Sequence, residues 1–478
     1  MGDMTTMMGE KEACAAIEDI FTRGVGTLID PNETLRKKLL AKARGECKED
    51  IIIKFGVDPT RPDIHLGHAV ILRKLRQLQD LGCKVVFLIG DYTAQIGDPT
   101  GKSKVRPEVE QSQIEANMQT YLDQVGKILS LDEAVFSWIR NSDWFTTITD
   151  LNLPLDYQVG MEVNVPNTPA PVHVAFDPNS FVGKAIAFEQ SRMQKNIGAK
   201  KIAVVTMRSL LWGLKHITLA QLLERDMFEK RVKDGESLFM HEMLYPVFQG
   251  IDSDILAQVF GSCDLEVGGT DQTFNMLMGR KIMEVNKRSP QSVLSFALLV
   301  GLDGKEKMSK SLDNYVAITD APANMFGKIM SLPDALIGSY FELCTFTPME
   351  EVKSILKKLE SGKAHPKEVK MDLAQQIVEI YHGPEAAENA RESFINTFQK
   401  KELPLEMPTV TVGRGTPLVE VLLAEKIVAS KNEFRRLLEE GAIREGGEKK
   451  ITTPLAIIDK DIVLKIGKLR FLKIFAVE

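Results

Sequence analysis

A β-branched run, Ile51 to Phe55, leads into a loop punctuated by glycine and proline, then a segment of helical period, then the apolar run Lys84 to Ile89. No other feature restricts the fold as strongly. Within HLGHAVILRKLRQLQDLG, Val70, Leu72, Leu75, Leu78 and Leu81 recur near helical spacing, and Gly82 ends the helix. KVVFLI is too short to be a helix and reads as a buried strand. Strand, crossover helix, strand is the βαβ unit from which parallel sheets are built. Such sheets gather their ligands at the carboxyl ends of the strands.

The alternation continues downstream. Residues 107–128 are expected to be helical, Val135 to Ile139 a strand, 216–251 two helices, Leu265 to Val267 extended, 271–285 helical and Val293 to Val300 a strand. This is an α/β, doubly wound, parallel-sheet layout. Residues 147–208, rich in Pro, Asn and Val, break the rhythm and read as an insertion with some strand content. Beyond Lys310 the pattern turns helical over 322–331, 348–361, 366–382 and 384–400. PLEMPTVTVGRGTP reads as a linker, followed by a compact mixed α/β unit. Three domains are therefore expected: 1–320 with the insertion, a helical 321–403, and a small α+β unit at 409–478.

Composition removes several classes of function. With 44% hydrophobic and 26% charged residues the chain has the balance of a soluble globular protein, and a net charge of -6 excludes one basic all over. The 5 cysteines are odd in number and form no CxxC pair, which argues against a disulfide framework or a structural zinc site. The first residues lack a basic stretch followed by an apolar one, and no apolar run approaches the roughly 18 residues that span a bilayer. The expectation is a cytoplasmic protein with no membrane segment, no metal site and no tightly bound cofactor.

Two short motifs carry chemistry. His65-Leu66-Gly67-His68 stands at the entrance of the first helix, where free N–H groups and the positive dipole end suit a phosphate. Its two histidines share a face, and Gly67 leaves room for a flat group. Alone, such a pair is more often a surface or capping feature. Lys307-Met308-Ser309-Lys310-Ser311 follows the last strand in an expected loop, where lysines can offset charge that develops on a polyphosphate. Alone, it reads equally as a solvated basic loop. A third segment, GDPTGKS, is not a P-loop, because Gly97 and Gly101 enclose three residues where that motif needs four.

HLGH after the first strand and KMSKS after the last, in that order and far apart, are the two signatures of class I aminoacyl-tRNA synthetases. From the first strand onward, the insertion aside, the chain resembles bacterial tyrosyl-tRNA synthetases, and the resemblance implies a Rossmann-like catalytic domain. It is supported by Gly56-Val57-Asp58-Pro59-Thr60, by Ile96-Gly97-Asp98-Pro99-Thr100-Gly101-Lys102, by Tyr245-Pro246-Val247-Phe248-Gln249-Gly250-Ile251-Asp252 and by Gly268-Gly269-Thr270-Asp271-Gln272.

The resemblance implies a site. His65, His68, Lys102, Arg106, Lys307 and Lys310 are the implied catalytic residues. Asp58, Thr60, Gly67, Gly269, Asp271, Gln272, Met308 and Ser309 are implied around ATP, with Asp271 on the ribose hydroxyls. Asp98, Tyr245 and Gln249 are implied to hold the substrate ammonium and Asp252 the phenolic hydroxyl, with Gly56 and Lys54 beside them. Many family members carry a tyrosine at position 54, so the lysine departs from the better-known pattern. The tail resembles an RNA-binding domain of αL type, implying phosphate contacts from Ser430, Lys431, Arg435, Arg436 and Lys449. Implied partners are tyrosine, ATP with Mg2+, tRNA(Tyr) and a second copy of the chain in a homodimer. The competing readings are a tryptophanyl or other class I enzyme, a synthetase-derived RNA-binding protein without catalysis, and a generic nucleotidyltransferase.

Overall fold

The computed structural model describes residues 10–59, 63–99, 111–145, 159–163, 172–176, 205, 207–398, 407–425, 427–428, 430–446, 449–467 and 470–477. The chain forms two units: one of Met1–Gly301, Lys305–Thr319 and Glu342–Cys344, the other of Leu302–Gly304, Asp320–Phe341 and Thr345–Glu478.

The first unit is organised by a six-stranded sheet in the order β1-β8-β7-β2-β3-β4, with β1 at Val25–Ile29, β2 at Ile52–Val57, β3 at Lys84–Ile89, β4 at Phe136–Arg140, β7 at Leu265–Gly269 and β8 at Ser292–Phe296. Five strands are parallel, as the βαβ reading requires, with Ile53 opposite both Val85 on β3 and Leu265 on β7. β3, β7 and β8 are buried almost throughout, the mark of a sheet covered on both faces. The sheet is nevertheless mixed, because β1 pairs antiparallel with β8 at one edge. That strand escapes a periodicity search: VGTLI has no buried position and alternates half-buried with more exposed residues.

The helix Leu66–Asp80 carries the expected stripe, burying Leu66, Ala69, Val70, Leu72, Leu75 and Leu78. At about 1.5–3 kcal/mol for each large apolar side chain, this stripe fixes the helix that presents the two histidines. Residues 216–251 hold parts of three helices rather than two: Leu219–Leu223, Asp226–Lys233 and Met240–Phe260. The break after Lys233 comes where Gly235 takes a positive φ. Within the insertion, β5 (Val159–Val163) and β6 (Val172–Phe176) pair as an antiparallel hairpin, and the rest of its reading falls largely outside the described residues.

In the second unit the helices Pro322–Met330, Met349–Glu360, Pro366–His382 and Pro384–Phe398 match the expected helical stretch. The helix Ile337–Cys344, bounded by Pro333 and Pro348, was not expected from the sequence. The tail folds around a five-stranded sheet, its core joining Leu464 and Ile474 of the sheet to Leu422 and Phe434 of two helices.

Candidate active site

From β2 the chain continues outward through β3 and β4, whereas β7 and β8 lie on the other side of β2. The crevice at the carboxyl ends of β2 and β7 is thus the point where strand order reverses, the place such sheets reserve for ligands. The Gly56-to-Asp58 segment leaves β2 there, and Thr270-Asp271-Gln272 leaves β7 as a short 3-10 turn. Gly56 is exposed on a strand otherwise buried up to Phe55.

One side of the crevice is built by the helix Met240–Phe260, on which Tyr245, Gln249 and Asp252 share a face. The Tyr245 hydroxyl donates to Asp58 Oδ2 at 2.8 Å, while Asp58 Oδ1 accepts from the Thr93 hydroxyl at 2.8 Å. Asp98 accepts from the Gln272 amide at 2.6 Å, and its other oxygen lies 3.6 Å from the Arg225 guanidinium. Asp252 is buried, accepting from the Trp144 indole N–H at 2.9 Å and from the Asn141 amide at 3.4 Å. Burial pushes its carboxyl up to about 7, against the opposing pull of the Lys54 ammonium and the two donors. Lys54 is wholly buried: its ammonium donates to the Gln249 carbonyl oxygen and the Ser253 hydroxyl, each at 2.8 Å, and pairs with Glu266 at 2.9 Å.

The other side is basic. His65 precedes the helix Leu66–Asp80 in extended conformation, and its backbone N–H donates to His68 Nδ1 at 3.3 Å. The two imidazoles lie with centroids 3.9 Å apart, their planes tilted by 33°. A Cβ on Gly67 would come 3.0 Å from the His65 ring, so a side chain there would have to displace the imidazole. Burial, reinforced by Lys310, lowers His65 to about 3; burial, then His65 itself, holds His68 well below its ordinary value. Both rings are therefore neutral near pH 7, and His65 Nδ1 is buried without a hydrogen-bond partner.

Lys307 Nζ pairs with Asp271 at 2.7 Å, and Lys310 Nζ lies 3.4 Å from the Tyr121 hydroxyl and 5.4 Å from its ring centroid. Met308 is buried and the Ser309 N–H donates to Asn314 Oδ1 at 2.7 Å, anchoring the loop between its two lysines. Its last lysine opens a short 3-10 turn, Lys310–Leu312. A Cβ on Gly269 would stand 2.7 Å from Asp271 Oδ1, so only glycine lets that carboxylate fold back beside the strand end.

Thr60, Lys102 and Arg106 lie outside the described residues, as does the side chain of Lys449. In the tail, Ser430 caps the helix Lys431–Glu439, its hydroxyl accepting from the Glu433 N–H at 3.2 Å. Lys431 and Arg435 are exposed on that helix, and Arg436 lies 3.8 Å from Glu440. Sequence reasoning missed Thr93, Tyr121, Asn141, Trp144, Arg225 and Glu266, which belong to no motif. Two signals were readable: Thr93 closely follows β3, and Glu266 is a lone acid in an apolar strand.

A family model described as tRNA synthetases class I (W and Y) matches residues 46–160 and 184–399. A tyrosine–tRNA ligase of Francisella tularensis is 36% identical over 458 residues, covering 95% of this chain and 97% of that protein. A tyrosine–tRNA ligase 2 of Vibrio vulnificus is 38% identical over 460 residues, 96% of this chain and 98% of its own length. Among solved structures, a tyrosyl-tRNA synthetase of Archaeoglobus fulgidus complexed with L-tyrosine shares the fold, with a TM-score of 0.52 at 19% identity over 79% of this chain and 99% of that one. Joined to those relatives by more than a third of its residues along nearly its whole length, the chain belongs to the class I tRNA synthetases of the W and Y family, among the tyrosine–tRNA ligases.

Proposed function

We propose that the crevice at the ends of β2 and β7 activates tyrosine with ATP, and that the tyrosyl group then passes to the 3′ end of tRNA(Tyr). The observation that carries this reading is the division of the crevice into two halves. One holds Asp58, Asp98, Tyr245, Gln249 and Asp252; the other holds two neutral imidazoles and two lysines. The acidic half suits an ammonium and a phenol, and the basic half suits a triphosphate.

In the first step a tyrosine carboxylate oxygen forms a bond to the α-phosphorus of ATP. The bond from that phosphorus to the bridging oxygen breaks, and pyrophosphate leaves. In the second, a hydroxyl of the terminal tRNA ribose attacks the adenylate carbonyl and AMP leaves as the hydroxyl proton is lost. Neither step needs a side-chain nucleophile. The protein's work is positioning and stabilising charge that grows at phosphorus.

His65 and His68 act here as neutral N–H donors to phosphate oxygens, an assignment supported by their place at the N-terminus of the helix Leu66–Asp80. Lys307 and Lys310 bring the positive charge, joined by Lys102 and Arg106. Gly67, Gly269, Asp271, Gln272, Met308 and Ser309 shape the nucleotide side, with Asp271 toward the ribose. Asp98 and Gln249 receive the ammonium and Asp252 the phenolic hydroxyl. A site built to hydrogen-bond a hydroxyl rejects the analogue lacking it by roughly 10⁴–10⁵, an effect for which tyrosine-specific synthetases are themselves the standard example.

Among the described residues no three acidic, histidine or cysteine side chains converge as a metal cage. The donors around the phosphate side are cationic or neutral N–H groups, so magnesium fits as a companion of the nucleotide, held by its phosphates. We assign tRNA contact to the tail through Ser430, Lys431, Arg435, Arg436 and Lys449, where the exposure of Lys431 and Arg435 supports the reading. We also assign a homodimer. Its support is the series of exposed apolar side chains Leu211, Trp212, Leu219, Phe239 and Met240 along the segment that follows the insertion. The compartment assigned is the cytoplasm, where translation supplies the tRNA; no described helix is long and apolar enough to cross a membrane.

The test is direct. Incubation with tyrosine, ATP and magnesium should leave one equivalent of tyrosyl-adenylate on the protein, detected by mass spectrometry after gel filtration. Its absence from folded protein would remove the reading.

A further inference from the structure

The wholly buried lysine of β2 has no place in the two-half division of the crevice, and its surroundings explain why it is there. Lys54 and Glu266 are register partners on adjacent parallel strands, so their side chains leave the sheet on the same face. Both are essentially unexposed, and both meet the helix Met240–Phe260. Glu266 Oε1 receives two donors, the Lys54 ammonium at 2.9 Å and the Gln249 amide Nε2 at 3.1 Å. Its Oε2 receives the Ser253 hydroxyl at 3.2 Å and the Gln291 amide. On the far side of Gln249, the amide oxygen accepts from Asn275 Nδ2 at 3.0 Å, and the same Nδ2 donates to Gln272 Oε1 at 2.9 Å.

Every contact in this chain dictates the orientation of the next. A glutamine amide can turn over, exchanging its donor and acceptor ends at little cost in shape. Facing an ionised Glu266, only the N–H end is tolerated, so the oxygen of Gln249 is turned away from Glu266. A buried carboxylate stays ionised only while a cation compensates it, and Lys54 is the cation within contact.

We propose that the Lys54–Glu266 pair is a positioning device that fixes the Gln249 amide with its oxygen toward the substrate ammonium. Lys54 and Glu266 do not touch the substrate; they act through Gln249. The lysine therefore serves ammonium recognition through Gln249, in addition to the pull its charge exerts on Asp252, which Glu266 opposes. The inference rests on the assignment of Gln249 to the ammonium, and the experiment is built to separate the two.

Three variants of the full chain, Gln249→Ala, Lys54→Met and Glu266→Gln, would be compared with wild type in tyrosine-dependent ATP–pyrophosphate exchange. Gln249→Ala tests the assignment alone. Lys54→Met is expected to raise the KM for tyrosine about ten-fold, the loss of one charge-assisted hydrogen bond, with the KM for ATP and kcat little changed. Adding Glu266→Gln to Lys54→Met removes the uncompensated charge yet leaves an amide that does not orient Gln249, so the tyrosine KM should stay raised, whereas a purely structural lesion at Lys54 would be relieved. If Lys54→Met does not fold, Glu266→Gln alone decides the matter. Its amide offers Gln249 both a donor and an acceptor, so the tyrosine KM should rise while that for ATP stays put. A raised tyrosine KM in Gln249→Ala together with wild-type values in the Lys54 or Glu266 variants would overturn the positioning role and leave the assignment intact. No change in Gln249→Ala would overturn both.

Discussion

Lys307 donates to Asp271 across 2.7 Å, joining the KMSKS loop to the turn that leaves β7. Both side chains keep some exposure, 39% and 21%, so the pair can open without unburying the core. A ribose on Asp271 would replace this contact. Asp271→Asn is expected to raise the KM for ATP about ten-fold or more, since hydrogen bonds to a charged acceptor contribute about 1.5–3 kcal/mol. The KM for tyrosine should be unaffected, and steady-state exchange at varied ATP checks both.

Lys310 rests on the buried Tyr121 ring, which holds its ammonium beside the histidines. Lys310→Ala should slow adenylate formation about 10²-fold or more while tyrosine binding stays near wild type, because a group that meets charge only in the transition state lowers the rate constant selectively. Stopped-flow measurement of the first turnover separates the two. Equal losses in rate and tyrosine affinity would contradict the role.

Asp252 titrates at about 7 in the free protein, raised by burial. If its carboxylate accepts the phenolic hydroxyl, tyrosine affinity falls as pH drops through 7, and Asp252→Asn removes that dependence. The same shift has a sign for stability. A carboxyl raised in the fold contributes fully below its unfolded value near 3.8 and loses that contribution as pH climbs to about 7. Asp252→Asn should therefore compare better with wild type in urea midpoint at pH 8 than at pH 4.

The two histidines carry the opposite sign. Their folded values lie below the ordinary 6.5, His65 at about 3. Their contribution is complete above pH 6.5 and is lost as pH falls from there toward 3, at no more than about 1.4 kcal/mol per pH unit for each ring. His65→Asn with His68→Asn should flatten the acid limb of a urea-midpoint profile. An unchanged limb would mean that the rings are charged in the folded protein.

How far the sequence could be read depended on whether chemistry lay in one segment or across several. The helix Leu66–Asp80 and strands β2 and β3 follow from spacing alone, because burial on a stripe or on both sheet faces leaves a pattern along the chain. The edge strand β1 left none, being partly exposed throughout, and the helices of 216–251 merged into two because Leu219–Leu223 and Asp226–Lys233 are only 5 and 8 residues long and follow one another closely. The paired histidines and the shared helix face of Tyr245, Gln249 and Asp252 were legible as motifs. The meaning of Lys54 was not. Its partner is Glu266, more than two hundred residues along the chain, and only the register of β2 against β7 brings them together.

The measurement closest to the centre of this account is ATP–pyrophosphate exchange driven by each of the twenty amino acids in turn, with purified protein and magnesium. Exchange with tyrosine, and none above background with phenylalanine or tryptophan, is the expected result. Exchange driven by tryptophan would contradict the assignment of Asp252 and its helix face to the phenol. Exchange with no amino acid would contradict the account of the crevice as an activating site.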